Sequence, residues 1–151
     1  MKWVKQSIHY WCPDTKEHKF LGQNVTVAIL DTGISPHPDF KGRILSFRDF
    51  SSTTGSSEKV LFSFSHFSPL IDNSGHGTHV AGILAGSGLL SSGTYAGIAP
   101  FCNLIIGKVL DQNGNGSIKN VIYGIKWIRD IYTQFHIRII NISVGTRPDL
   151  S

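Results

Sequence analysis

The chain has 151 residues, enough for one domain with a real core, and its 40% hydrophobic and 16% charged side chains suit buried strands better than a solvated helical bundle. The formal net charge of +4 is carried by lysines and arginines scattered singly (Lys2, Lys5, Lys16, Lys19, Lys41, Arg43, Arg48, Lys108, Lys119), which reads as a solvated surface. It lacks the basic run that a nucleic-acid partner would need. No apolar run reaches membrane-spanning length, and the N-terminus carries charge and aromatics where an export signal has its apolar core, so no membrane partner is expected and a cytoplasmic form is favoured over a secreted one.

Residues 1–24 mix Trp3, Tyr10 and Trp11 with polar side chains, and read as an irregular segment or short helix packing by its aromatics on a domain that occupies 22–151. After the Gly22-Gln23-Asn24 turn, residues 25–30 are β-branched-rich and nearly all apolar, the pattern of a strand buried on both faces, and such strands belong to parallel sheets. Pro36 and Pro38 make 34–39 a loop, and a second short strand is expected at 43–47. Residues 51–57 are Ser, Thr and Gly, a loop composition, and the alternation of Phe62, Phe64 and Phe67 with serine in 60–71 suits a strand or hairpin arm.

Residues 72–82 are the most informative stretch. His76 stands between Gly75 and Gly77, where the absence of a Cβ lets another backbone or a substrate approach the ring. Residues 80–85 are apolar or glycine throughout, which predicts a helix hidden inside the protein. An imidazole at the mouth of such a helix is a candidate general base; the plainer reading is a helix that happens to begin with histidine.

A glycine- and serine-rich loop at 86–97 leads through Ala99-Pro100 to a second buried strand pattern at 103–110 and a turn at 111–116. Ser117 is a good N-cap, and Ile118, Val121, Ile122, Ile125 and Ile128 fall at helical spacing, predicting an amphipathic helix over 118–134. A further strand is expected over 136–145. The alternation of strands and helices describes an α/β domain with a parallel sheet. Cys12 and Cys102 form neither a zinc pattern nor a disulfide framework, and buried free thiols are expected.

In open parallel sheets, ligands gather at the carboxyl ends of the strands. Asp31 lies at such an end, where it can cap the Thr32-Gly33 turn or partner a cation. Taken with His76, a second role opens: a carboxylate accepting from Nδ1–H fixes the tautomer, orients the ring and leaves Nε2 free to take a proton from a hydroxyl.

Residues 27–34 (Val-Ala-Ile-Leu-Asp-Thr-Gly-Ile), followed by His37-Pro38-Asp39, resemble the aspartate motif of the subtilisin-like serine proteases, and His76-Gly77-Thr78-His79-Val80-Ala81-Gly82 resembles their histidine motif. Residues 97–110 with Gly114 and Gly116, and residues 140–145, resemble further segments of that family, so the match runs over about 22–147. The order Asp before His is also that of subtilisin. The resemblance implies a three-layer α/β subtilisin-like fold with a mainly parallel sheet, truncated before its C-terminal half. It implies serine endopeptidase chemistry with Asp31 and His76 as two of the three triad members. By the same analogy Gly114, Asn115 and Gly116 on one side, and Ser143, Val144 and Gly145 on the other, would hold a polypeptide substrate as an added strand.

The family's nucleophilic serine, in a Gly-Thr-Ser-x-Ala type segment, and its oxyanion asparagine both lie downstream, and neither segment is among these 151 residues. Asn141, inside a strand, does not replace that asparagine. In subtilisin, losing the serine alone costs about 10⁶-fold in kcat, so the chain by itself is expected to be inactive. Two expectations follow: a piece of a working protease whose partner is the missing C-terminal half, or a non-catalytic remnant that survives as a peptide-binding module. In a complete sheet the strand at 137–144 would lie well inside, so this chain is expected to expose an apolar edge and to dissolve poorly.

No cofactor is required by this chemistry. Asp111-x-Asn113-x-Asn115-Gly116 opens like a calcium-binding EF-hand loop, but its twelfth position is Ile122 where a glutamate is needed, so a turn is expected. His76 and His79 are three apart with no intervening glutamate, which fails the zinc-protease pattern; His79 is expected to be a buried, hydrogen-bonded helix residue. Residues 75–80 also fail the dinucleotide fingerprint at its last glycine. Structural calcium is common in the family that the motifs resemble, and Asp39 resembles a ligand position there. The 86–97 loop offers Ser91, Ser92 and Thr94 but no Asp or Asn, and no metal site is assigned.

Overall fold

The computed structural model describes residues 2–10, 20–51 and 70–145. Helix α1 spans Lys2–Ser7, strand β1 Thr26–Asp31, β2 Ile44–Asp49, helix α2 His76–Ala85, β3 Asn103–Lys108, helix α3 Ile118–Ile131 and β4 Ile137–Ile142. Short 3-10 turns at Pro38–Phe40 and Leu89–Ser91 punctuate the loops.

The four strands form one parallel sheet in the order β2-β3-β1-β4, so β1 lies between β3 and β4 and all six of its residues are buried. Successive side chains of a strand point to opposite faces. Val27 and Ile29 accordingly join Leu104, Ile106 and the α2 residues Ala81 and Ala85 in one core. Ala28 and Leu30 join Ile105, Val109 and the α3 residues Trp127 and Ile128 in a second. One helix therefore covers each face, which gives the expected three layers with a parallel sheet. Asp31 ends β1 in register with Lys108 of β3, at the carboxyl edge of the sheet.

Several expectations need correction. The N-terminal segment contains a helix whose Trp3 is 82% exposed, and of the described aromatics named for packing, Tyr10 reaches the domain, its hydroxyl donating to the Ile98 carbonyl at 2.9 Å. Helix α2 buries only the face carrying Gly77, Ala81 and Ala85; Ile83 is exposed, and so is His79, which two residues of helical rotation carry away from that face. In α3 Val121 and Ile128 of the predicted stripe pack towards the sheet, joined by Gly124 and Trp127, whereas Ile118, Ile122 and Ile125 are exposed. Trp127, outside the predicted stripe, packs beside Ile128 in the second core. Ile125 instead borders a groove of about 290 Å³ between α3 and β4, lined also by Tyr132, Ile137 and Ile140.

The scattered cations are not all surface charges either. Lys108 is 6% exposed. Arg43 is partly buried, its guanidinium donating to the carbonyls of Cys102 at 2.8 Å and Ala85 at 2.6 Å and also to that of Asp39, and burial lowers its pKa. These carbonyls belong to three separate segments, so Arg43 ties the loop after β1, the end of α2 and the start of β3 together. Cys102 is a buried free thiol, its pKa raised by burial.

Strand β4 lies at the sheet edge with Ile139, Ile140 and Ile142 exposed, as the apolar-edge expectation required. The loop and hairpin-arm readings over 52–69, together with Trp11, Cys12 and residues 146–151, lie outside the described residues. No helix among the described residues is long and apolar enough to cross a membrane.

Candidate active site

The site is assembled where β1 ends and α2 begins. Asp31 is fully buried, and its main-chain carbonyl accepts from Val109 at 2.8 Å and Leu110 at 3.2 Å, which pins the strand end against β3. Its Oδ1 accepts from the Thr32 N–H at 2.7 Å and lies 2.7 Å from Nδ1 of His76. Oδ2 is buried without a hydrogen-bond partner among the described residues. A carboxylate in this setting is costly unless a cation or donor compensates it, and the imidazole is the partner at hand.

The His76 side chain is 52% exposed while Asp31 is closed off, so one ring nitrogen faces the protein and the other edge faces solvent. The hydrogen bond to Asp31 and the charge of Asp31 raise the His76 pKa above its ordinary value, against a small desolvation effect, and Asp72 adds to the rise. Asp31 therefore both orients the ring and stabilises its imidazolium form. Of the two readings open for each residue, the structure supports the paired one: Asp31 does bond the turn through Thr32 N–H, and it holds His76 with the same oxygen.

Close backbone approach makes the pairing sterically possible. A Cβ on Gly77 would collide with the Gly33 carbonyl oxygen and stand 3.2 Å from Asp31 Cβ. Gly33 itself has φ of 121°, a conformation that side chains other than glycine rarely adopt.

The remaining predicted site residues lie at the same edge of the sheet. β3 and β4 flank β1, so the segments that follow them stand on either side of Asp31. Gly114, Asn115 and Gly116 are exposed in a turn closed by Asp111 N–H to the Asn115 carbonyl at 2.7 Å. The Asp111 carboxylate spends Oδ1 on the N–H groups of Asn113 and Asn115, so the segment is an Asx-type turn. Ser143, Val144 and Gly145 follow β4, with Ser143 Oγ accepting from Asn141 Nδ2 at 2.9 Å.

Two polar groups at the site escaped the sequence reading. Lys108 donates its ammonium to the Thr32 carbonyl at 2.6 Å and the Leu110 carbonyl at 2.8 Å, joining the strand end that carries Asp31 to the start of the 111–116 turn. Its position on an otherwise apolar strand was the available signal. Asp72 bonds the first turn of α2, and there the signal was Gly75, a glycine in the N-cap position that has no side chain to cap with.

Asp39, the position that resembles a calcium ligand, is engaged within the chain. Its carboxylate oxygens accept from the N–H groups of Gly88 at 3.0 Å and Leu90 at 3.4 Å, and its main-chain carbonyl is engaged by the Arg43 guanidinium. Among the described residues no group of three or more His, Cys, Asp or Glu is placed to hold a metal ion.

The chain is 47% identical over 106 residues to the serine protease AprX of Bacillus subtilis, an alignment covering 70% of this chain and 21% of that protein. It is 42% identical over 125 residues to the thermostable alkaline protease of Halalkalibacterium halodurans, covering 83% and 29%. Among solved structures it superposes on the CspB protease of Clostridium perfringens with a TM-score of 0.70 at 26% identity, covering 87% of this chain and 31% of that one. Sphericase gives a TM-score of 0.69 at 28% identity, covering 85% and 39%. The chain thus spans well under half the length of these proteins. The sequence model of the subtilase family, the S8 peptidases, matches residues 22–151, and with the Asp31–His76 pair at the end of β1 in place, the chain belongs to that family.

Proposed function

We propose that this chain supplies the acid–base half of a serine endopeptidase. The observation that carries this reading is the 2.7 Å contact between Nδ1 of a half-exposed His76 and a fully buried Asp31 at the carboxyl end of a parallel strand. Nε2 of His76 takes the proton from a serine hydroxyl as its Oγ attacks the peptide carbonyl, and returns that proton to the leaving amine. Asp31 stabilises the imidazolium in between. The polypeptide substrate lies extended between Gly114, Asn115 and Gly116 on the β3 side and Ser143, Val144 and Gly145 on the β4 side. The serine and the oxyanion donor come from the C-terminal part of a complete subtilase domain, which would cover the exposed face of β4.

The complete product of the reading frame that encodes this chain is expected to label with a fluorophosphonate probe and to hydrolyse casein, both abolished by His76→Ala. Residues 1–151 alone are expected to remain unlabelled. A full-length product that binds peptides without labelling would overturn the proposal in favour of a non-catalytic peptide-binding module.

A further inference from the structure

The contact between Asp31 and His76 joins residues 45 positions apart, on the end of a strand and the start of a helix. A general base must be held within hydrogen-bond reach of its partner, and small displacements are costly, so something must set β1 and α2 in register. Helix α2 cannot do this with its own cap. Its N-cap residue is Gly75, in the left-handed conformation at φ 84°, with no side chain to receive the orphan N–H groups of the first turn.

The missing cap comes from Asp72. Its Oδ1 accepts from the N–H groups of Gly75 at 2.9 Å and Ser74 at 3.2 Å and from the Thr32 hydroxyl at 2.9 Å. Its Oδ2 accepts from the Thr78 N–H at 2.8 Å and the Thr78 hydroxyl at 2.5 Å. Each hydroxyl passes the link on: Thr32 Oγ1 accepts from the Gly77 N–H, and Thr78 Oγ1 from the Ser35 N–H, both at 2.9 Å. One carboxylate is thereby bonded, directly or through one hydroxyl, to the residues on both sides of His76 and to the segment that follows Asp31. An anion at a helix N-terminus is also favoured by the helix dipole.

We propose that Asp72 is the positioning residue of this site: its carboxylate caps α2 from outside the helix and, through Thr32 and Thr78, locks His76 in register with Asp31. Its ionised form is stable there, because the hydrogen bonds from Thr78, Gly75 and Thr32 outweigh the effect of burial and hold its pKa below the ordinary value. Asparagine is not a substitute, since its NH₂ would face an N–H donor on one side or the other. Among the described residues, the charges around His76 are Asp31 from β1 and Asp72 from the segment before α2, with the Lys108 ammonium of β3 behind the Thr32 carbonyl.

The inference rests on the pairing of His76 with Asp31, and the test separates the two. In the histidine-labelled chain, the wild type is expected to show a far-downfield Nδ1–H proton for His76, assigned by its absence in His76→Gln, and a raised His76 pKa. Asp72→Asn is expected to lose the downfield proton and to lower that pKa. In the full-length protein it should lower kcat by up to about 100-fold with little change in KM, the size of effect known for a displacement of about 1 Å. The acid limb of its pH profile should move to lower pH, through loss of the Asp72 charge as well as of the Asp31 contact. Loss of the Asp72 charge alone lowers that pKa, so the proton decides: an Asp72→Asn chain that keeps the downfield proton overturns the role of Asp72. A wild type with neither overturns the pairing itself. Should Asp72→Asn lose its helical circular dichroism, Thr32→Ser and Thr32→Val carry the test: serine keeps the hydroxyl link and should keep the downfield proton, valine should lose it, and equal behaviour of the two refutes the proposal.

Discussion

Asp31 and Lys108 are register partners on adjacent parallel strands, both buried, yet the hydrogen bonds of the Lys108 ammonium go to the main-chain carbonyls of Thr32 and Leu110. The cation acts as a bracket across the carboxyl edge of the sheet. It holds the residue after Asp31 against the first residues beyond β3, and its charge lies on the same face of the sheet as the carboxylate.

Lys108→Met keeps the aliphatic stem and removes both bonds. Hydrogen bonds to charged groups contribute about 1.5–3 kcal/mol each, so the variant should lose roughly 3 kcal/mol after partial relaxation. Urea unfolding followed by tryptophan fluorescence measures this; an unchanged midpoint would show that the bracket contributes nothing.

The pH dependence of stability follows from His76. Its pKa in the folded chain is raised, so its contribution is fully present below the unfolded value of about 6.5 and is lost as pH rises through the folded value. The stability difference between wild type and His76→Gln should therefore be largest near pH 5 and shrink on the alkaline side. Asp31→Asn should remove most of that dependence. A difference that grew with pH would contradict the assignment of sign.

Gly77→Ala reverses an ordinary expectation. In an exposed helix interior the exchange gains about 1 kcal/mol. Here the new methyl group meets the Gly33 carbonyl oxygen and Asp31 Cβ, so the helix must retreat from the strand end. The variant should unfold at lower urea concentration than wild type and lose the raised His76 pKa. A stabilised variant with an unaltered histidine titration would mean that α2 does not sit this close to β1.

The apolar edge gives a prediction about association. Ile139, Ile140 and Ile142 of β4 are 53%, 43% and 42% exposed, and among the described residues β4 has a strand on one side only. Isolated 1–151 should self-associate, and Ile139→Lys should shift it towards monomer, because a charge at a strand edge opposes further pairing. Sedimentation velocity over a range of concentrations reads this directly; a wild-type chain that is monomeric throughout would count against it.

The strands, the two main helices and the pairing of Asp31 with His76 were legible in the sequence for local reasons. Residues 25–30 are nearly all apolar and 104–107 are Leu-Ile-Ile-Gly, short runs that suit buried strands, Ser117 marks its own helix start, and the glycines around His76 announce a backbone that something must approach. Tertiary structure decided what local pattern leaves degenerate. Spacing alone could not tell that Ile128 of the predicted α3 stripe packs in the core while Ile122 and Ile125 stay exposed, because only packing with Leu30 and Val109 distinguishes them. Nor could it tell that Lys108 is buried or that Asp72 caps a helix beginning four residues later. Such polar groups are held by partners from other segments, and a one-dimensional pattern carries no record of which segments meet. The sequence by itself determined which residues could do chemistry at His76; the fold decided how Asp72, Thr32 and Asp31 hold it in place.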